Sequence, residues 1–169
     1  MPIDLICLDA DDTLWHNMRF FHETQDALVR MLEPFADAGI ARSSLEACEI
    51  RNLKLYIYGA KASTLSMIET ALDLSNDDVS ASVIREIVEA GKELHAPPVE
   101  LFEGVEETLT ALAERSRLVL VTKGDLFHQE AKLAASGLGD LFTGIETVSD
   151  KRPATFAGIF ERHGVEAAN

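Results

Sequence analysis

Carboxylates, a hydroxyl and an amine follow three separate apolar runs in this chain, and together they could handle a cation and an anion. In Leu5-Ile6-Cys7-Leu8-Asp9-Ala10-Asp11-Asp12-Thr13 the apolar run passes straight into three carboxylates and a hydroxyl. Crowding carboxylates at the mouth of a buried strand costs repulsion and desolvation unless a cation or substrate compensates. The plainer account is a polar turn, since Asp is common in turns. A cluster of this kind weighs toward a functional site. In Leu118-Val119-Leu120-Val121-Thr122-Lys123-Gly124-Asp125 a second run ends in a hydroxyl residue, then Gly and a helix start. Backbone N–H groups at such a helix N-terminus, with the Thr122 hydroxyl, make an anion site, although the same junction also arises for capping alone. In Val148-Ser149-Asp150-Lys151-Arg152-Pro153 a lysine sits on the loop after a third run. A lone lysine there is ordinarily solvated surface. The weight rests on the conjunction.

The elements that must position these residues are three strands and the helices between them. Ile3 to Leu8, Arg117 to Val121 and Gly144 to Val148 are continuously apolar rather than alternating. That pattern suits a parallel sheet covered on both faces. Gly104 to Arg115 carries Val105, Leu109 and Leu112 on one helical stripe. Leu126 to Ser136 opens at Asp125 as N-cap and closes at Gly137, and Pro153 to His163 begins with Pro in its first turn.

Residues 17–98 carry no strand signal. Helices are expected at Met18 to Ala38, Ser43 to Tyr58, Thr64 to Leu74 and Val79 to His95. Asn76-Asp77-Asp78 reads as an N-cap run, and Ala96-Pro97-Pro98 ends the segment. This length exceeds what a simple crossover between parallel strands requires. The expectation is therefore an α/β, Rossmann-like parallel core from residues 1–16 and 99–169 with an all-helical cap, 17–98, spliced in after the first strand. Ligands bind at the C-terminal ends of parallel strands. Asp9, Asp11, Thr122 and Lys151 would then face one crevice.

Composition narrows the partners. A net charge of −14 in 169 residues argues against nucleic acid, because a polyanion would be repelled and no Lys/Arg cluster offers counterion release. Small phosphorylated molecules remain compatible, since one divalent cation or a few donors can reverse the field inside a cleft. No apolar run approaches the ~20 residues of a membrane span. The start, Met1-Pro2-Ile3-Asp4, lacks the basic opening of a signal peptide, so a cytoplasmic location is expected. Cys7 and Cys48 have no metal-ligand spacing and read as reduced thiols. His16, His22, His95, His128 and His163 are scattered and read as structural or surface residues. Trp15 reads as a packing residue beside the first motif. Tyr56, Tyr58, Gly59, Lys61 and Ser63 form a break between two helices, either a simple turn or a place for substrate-selecting contacts.

The ordered trio resembles the haloacid dehalogenase-like hydrolase superfamily across the whole chain. Asp9-Ala10-Asp11-Asp12-Thr13 is similar to its first motif, Thr122 to its second, and Lys151 with Pro153 to its third. Asp12 stands where many members have Gly. The resemblance implies Asp9 as nucleophile, forming an aspartyl-phosphate. It implies Asp11 as general acid, then base. Thr122, Lys123 and Lys151 would hold the phosphoryl oxygens. Mg²⁺ would bind the Asp9 carboxylate and the Asp11 main-chain carbonyl. An aspartate two places after the nucleophile favours phosphoryl transfer, since the family's dehalogenases lack an acid there.

The implied activity is a Mg²⁺-dependent phosphohydrolase acting on a small phosphorylated metabolite, with the cap closing over the core. A phosphomutase uses the same intermediate. The family's fourth motif, an acidic cluster after a further strand, has no counterpart in this sequence. Its absence implies an impaired site, a remnant or binding module of the same fold, or a homo-oligomer covering the exposed sheet edge. A receiver-type signalling domain is the remaining rival, and Asp150 after the third run is its only support.

Overall fold

The computed structural model describes residues 3–95 and 98–165; Ala96 and Pro97, expected to help end the helical segment, lie outside the described residues. In chain order the elements are β1 (Leu5–Leu8), α1 (Met18–Met31), α2 (Ala38–Tyr56), α3 (Ala60–Ser75), α4 (Ala81–His95), α5 (Val105–Ala113), β2 (Arg117–Thr122), α6 (Leu126–Ala135), β3 (Gly144–Thr147) and α7 (Pro153–Arg162), with a short 3-10 turn at Gly139–Leu141. They fall into two compact units, Met1–His16 with Val99–Asn169, and Asn17–Pro98.

The first unit is built on a three-stranded parallel sheet in the order β1-β2-β3. Central β2 is buried from Leu118 to Thr122, and its alternate side chains enter two different layers. Leu118 and Leu120 pack with Ala10, Leu14, Trp15, Leu109 and Leu138, while Val119 and Val121 pack with Ile159 of α7. Both faces are covered, which is why the run is continuously apolar. Each such leucine contributes roughly 1.5–3 kcal/mol of burial. Leu8 pairs with Leu120, and Thr122 pairs with Thr147, so Asp9 and Thr122 leave the sheet at the same end.

Asp125 caps α6 by accepting from the His128 N–H at 3.2 Å. Gly137, with φ +73°, makes the left-handed exit after it. Pro153 opens α7, where its missing N–H is no loss.

The second unit is four helices around Leu28, Leu32, Leu45, Met67, Ala71 and Ile87. The helix boundaries differ from the sequence expectation, and α3 starts at Ala60 rather than Thr64. Helix α1 ends at Met31, not Ala38, because Pro34 cannot continue the hydrogen-bond ladder. Asp37 then caps α2 by accepting from the Ile40 N–H at 3.0 Å, which starts that helix at Ala38 rather than Ser43. Asn76 and Asp77 adopt φ of +52° and +64° and terminate α3 instead of opening α4. The cap of α4 is the Ser80 hydroxyl, which accepts from the Val83 N–H at 3.3 Å. Helices α3 and α4 approach closely at Gly91, where an added Cβ would lie 2.1 Å from the Thr64 Oγ1.

Candidate functional site

The loop after β1 is a closed turn. The Thr13 and Leu14 N–H groups donate to the Ala10 carbonyl, and the Asp12 N–H donates to the Trp15 carbonyl at 2.9 Å. Asp12 takes φ +56°, a left-handed position that Asp tolerates better than most residues. That accounts for an aspartate at this turn position. Residues 100–102 pin the turn from outside: His16 N–H donates to the Glu100 carbonyl and Phe102 N–H to the Leu14 carbonyl.

The turn turns its two carboxylates to different surroundings. The Asp9 side chain is 48% exposed. Its Oδ1 accepts from the Ala10 N–H at 2.8 Å and from the Lys151 ammonium. Lys151 thus crosses from the loop after β3 to the end of β1.

Asp11 is only 23% exposed, and donors engage both its oxygens. Oδ1 accepts from the Lys132 Nζ at 2.6 Å and the Trp15 Nε1 at 2.9 Å, and Oδ2 from the Gln129 Nε2 at 2.9 Å. Burial pushes the Asp11 carboxyl up, but the Lys132 charge and the hydrogen bonds from Lys132, Gln129 and Trp15 outweigh it. The net result holds Asp11 below the ordinary aspartate value. The first motif therefore contains one accessible carboxylate and one clamped carboxylate.

Thr122 is buried at the end of β2, and its hydroxyl donates to the Lys123 carbonyl at 3.3 Å. The same carbonyl accepts from the Gln129 Nε2 at 3.0 Å. Lys123 is half-buried on the loop between β2 and α6. Asp150 accepts from the Thr155 hydroxyl and pairs with Arg152, contacts that belong to the start of α7.

Sequence reasoning missed Gln129 and Lys132. Helix α6 buries His128, Gln129 and Lys132 while leaving Phe127 81% exposed. This inverts the usual amphipathic order, so the apolar stripe of the sequence gives no signal for them. Trp15, read as a packing residue, is fully buried and also a donor to Asp11. In the helical unit, Ser63 and Lys61 fall inside α3 rather than in the break, and buried Ser63 donates to the Glu49 Oε1 at 2.9 Å.

Among the described residues no three His, Cys, Asp or Glu side chains gather to hold a metal. The Asp11 carboxylate, with donors on both oxygens, does not fit as a side-chain ligand. Asp9 does fit a hard cation that keeps most of its waters, being half-exposed with its contacts on Oδ1. No helix among the described residues is long and apolar enough to cross a membrane.

The haloacid dehalogenase-like hydrolase family model matches residues 3–168. A haloacid dehalogenase-like family hydrolase from Xanthomonas campestris is 43% identical, with a TM-score of 0.91 over 97% of this chain and 69% of that one. A 2-haloacid dehalogenase from Pseudomonas syringae pv. Tomato is 21% identical, with a TM-score of 0.63 over 98% of this chain and 75% of its own. A magnesium-bound HAD-hydrolase, YfnB, from Bacillus subtilis is 17% identical, with a TM-score of 0.58 over 96% of this chain and 73% of its own. At these last two identities the likeness is one of fold. No curated protein matches the chain.

Proposed function

The chain belongs to the haloacid dehalogenase-like hydrolases, and from that premise we propose that it is a phosphohydrolase acting on a small phosphorylated metabolite. The observation that carries this reading is a second carboxylate, Asp11, two residues after the accessible Asp9, on which the Lys151 ammonium of the third motif converges. A displacement at carbon that expels a halide needs no proton on its leaving group. Expulsion of an alkoxide from phosphorus does, and Asp11 is placed in sequence to supply it.

In the proposed reaction an Asp9 carboxylate oxygen attacks phosphorus in line. The Asp9 O–P bond forms as the bond to the leaving oxygen breaks, and that oxygen takes a proton from Asp11. Asp11, now a carboxylate, takes a proton from water, whose oxygen attacks phosphorus and releases Asp9 and phosphate. Lys151, already on Asp9, neutralises charge at the reacting centre, with Thr122 and Lys123 at the neighbouring strand end. Mg²⁺, when held by the Asp9 carboxylate and the Asp11 main-chain carbonyl, would supply Lewis-acid neutralisation of the phosphoryl charge. Residues 17–98 stand where the family carries its cap, and we assign them that role.

The test is phosphate release from p-nitrophenyl phosphate with and without Mg²⁺, beside chloride release from 2-chloropropionate. Metal-dependent phosphate release, lost by at least about a thousandfold in Asp9→Asn, is the expected outcome. Chloride release without phosphate release would assign the chain to the dehalogenases instead.

A further inference from the structure

We propose that Leu126 and Phe127 form an apolar rim that selects phosphate esters of apolar or aromatic alcohols over those of polyols; this rests on the reading of the chain as a phosphohydrolase. Helix α6 divides its residues in an unusual way. Its inward side carries Gln129 and Lys132, 3% and 4% exposed, and both are taken up by Asp11. Its first turn sends an apolar pair outward. Leu126 is 46% exposed and Phe127 81%, the highest value among the described large hydrophobic side chains. Single exposed apolar residues are ordinary on a protein surface. These two are adjacent, and the fold leaves half of one and most of the other in water. Asp11 accounts for the polar residues of α6; packing does not account for the apolar pair.

Their place in the fold points to the substrate. Strands β2 and β3 are parallel, so α6 between them runs back along the sheet. Its N-terminus therefore lies at the strand ends, where Asp9 and Thr122 leave the sheet. Side chains of an α-helix lean toward its N-terminus, and those of the first turn lean past it, over the loop 123–125. Contacts on either side of the pair tie this segment to the site. Before it, the Lys123 carbonyl accepts from the Gln129 Nε2 at 3.0 Å, and an added Cβ on Gly124 would lie 3.4 Å from that nitrogen. After it, the same nitrogen donates to the Asp11 Oδ2 at 2.9 Å. The Asp125 cap on the His128 N–H, at 3.2 Å, fixes where residues 126 and 127 stand. Phe127 lies across the helix from Gln129, so it stands on the rim and not among the groups around Asp11.

A phosphoryl group at Asp9 and Lys151 leaves the organic half of the ester beyond the strand ends. There Leu126 and Phe127 present only carbon. A ring or alkyl group covering them removes apolar surface from water. A polyol in the same place gives up water from its hydroxyls and gains no hydrogen bond from the rim. The pair thus acts on binding of the organic group and touches no reacting atom.

Benzyl phosphate and glycerol 1-phosphate test the rim, because both expel a primary alkoxide and differ in the polarity of the organic group. The wild-type chain should show a kcat/KM about tenfold higher on benzyl phosphate. Phe127→Ser replaces an exposed ring and should lose about tenfold on that ester through KM, with a smaller loss on glycerol 1-phosphate. Phe127→Leu should keep most of the preference. Equal losses on both esters, or no preference in the wild type, overturn the rim and leave the phosphohydrolase reading standing. Benzylphosphonate and methylphosphonate, whose C–P bond is not hydrolysed, give a readout without turnover. Isothermal titration with Mg²⁺ present should show benzylphosphonate bound about tenfold more tightly, with the difference lost in Phe127→Ser. If neither ester is hydrolysed, the phosphohydrolase reading fails and the titration decides the rim: a preference that depends on Phe127 supports it, and equal affinity or no binding overturns it.

Discussion

Both units of the chain bury polar side chains in their interiors, but they satisfy them in opposite ways. In the helical unit Asn52, Ser63, Ser66 and Thr70 are buried and mostly neutral. The Asn52 Nδ2 donates to the Ser66 Oγ at 3.1 Å, the Thr70 hydroxyl to the Ser66 carbonyl at 2.7 Å, and the Ser63 hydroxyl to Glu49. These bonds run between or within helices and close on themselves. In the α/β unit buried Lys132, Gln129 and Trp15 converge on one carboxylate at a strand end. A network of short polar side chains between helices specifies how they pack. A convergent charged one specifies the direction of a single functional group.

The sharpest way to break the comparison is to remove the centre of each network. Asp11→Ala removes the carboxylate that pairs with the buried Lys132 ammonium and should cost about 3–5 kcal/mol. Adding Lys132→Met should return much of that loss, because the buried charge goes with it. Asn52→Ala in the helical unit removes its hydrogen bonds to Ser66 and Glu69 without burying an ammonium and should cost about 1–3 kcal/mol. Urea unfolding of the three variants measures the difference. A larger loss in Asn52→Ala than in Asp11→Ala would erase the distinction.

That distinction also explains what was legible in the sequence. Strand ends announce themselves: Leu8 to Asp9 and Val121 to Thr122 are abrupt changes from apolar to polar, and parallel topology sends both to one edge of the sheet. The contact of Lys151 with Asp9 joins the first and third motifs. Gln129 and Lys132 were not legible in this way. A helix is read by its apolar stripe, and α6 turns Phe127 outward and Lys132 inward, so the stripe points the wrong way. Pro34 was passed over for a different reason. The apolar residues around it keep a helical rhythm, yet a missing N–H overrides periodicity.

The next test sharpens the packing side. Gly91→Ala places a Cβ 2.1 Å from the Thr64 Oγ1 and 2.9 Å from its Cβ, so α4 must shift off α3. A loss of about 1–3 kcal/mol is expected, recovered in part by Thr64→Ala. No such recovery would mean that the close approach does not limit this interface. A smaller effect is expected for Asp125→Ala, about 1 kcal/mol, from loss of its bond to the His128 N–H at the start of the helix that carries the clamp. If the cap serves the clamp, the NMR peak of the Trp15 indole N–H should shift as well.

The smallest expected effect concerns two glutamates, one in each unit. Glu146 on β3 accepts from Arg162 at 3.2 and 2.7 Å and from the His163 Nε2 at 3.0 Å. The Arg162 hydrogen bonds hold its carboxyl below the usual value of 4.5, against the opposing effect of burial and with help from His163. A folded-state pKa below the unfolded one means that its contribution is present above about pH 4.5 and is lost as pH falls through the folded value. Glu146→Gln should flatten the acid limb of the stability curve between about pH 5 and pH 3. Glu69 is lowered too, chiefly by a hydrogen bond from Asn52, then by Arg51 and Cys48 against burial. Its side chain is 36% exposed against 19% for Glu146, so solvent screens its interactions more. Glu69→Gln should flatten the same limb less. A larger change at Glu69 would show that the helical unit, too, depends on a charge, and the contrast between the two interiors would have to be redrawn around it.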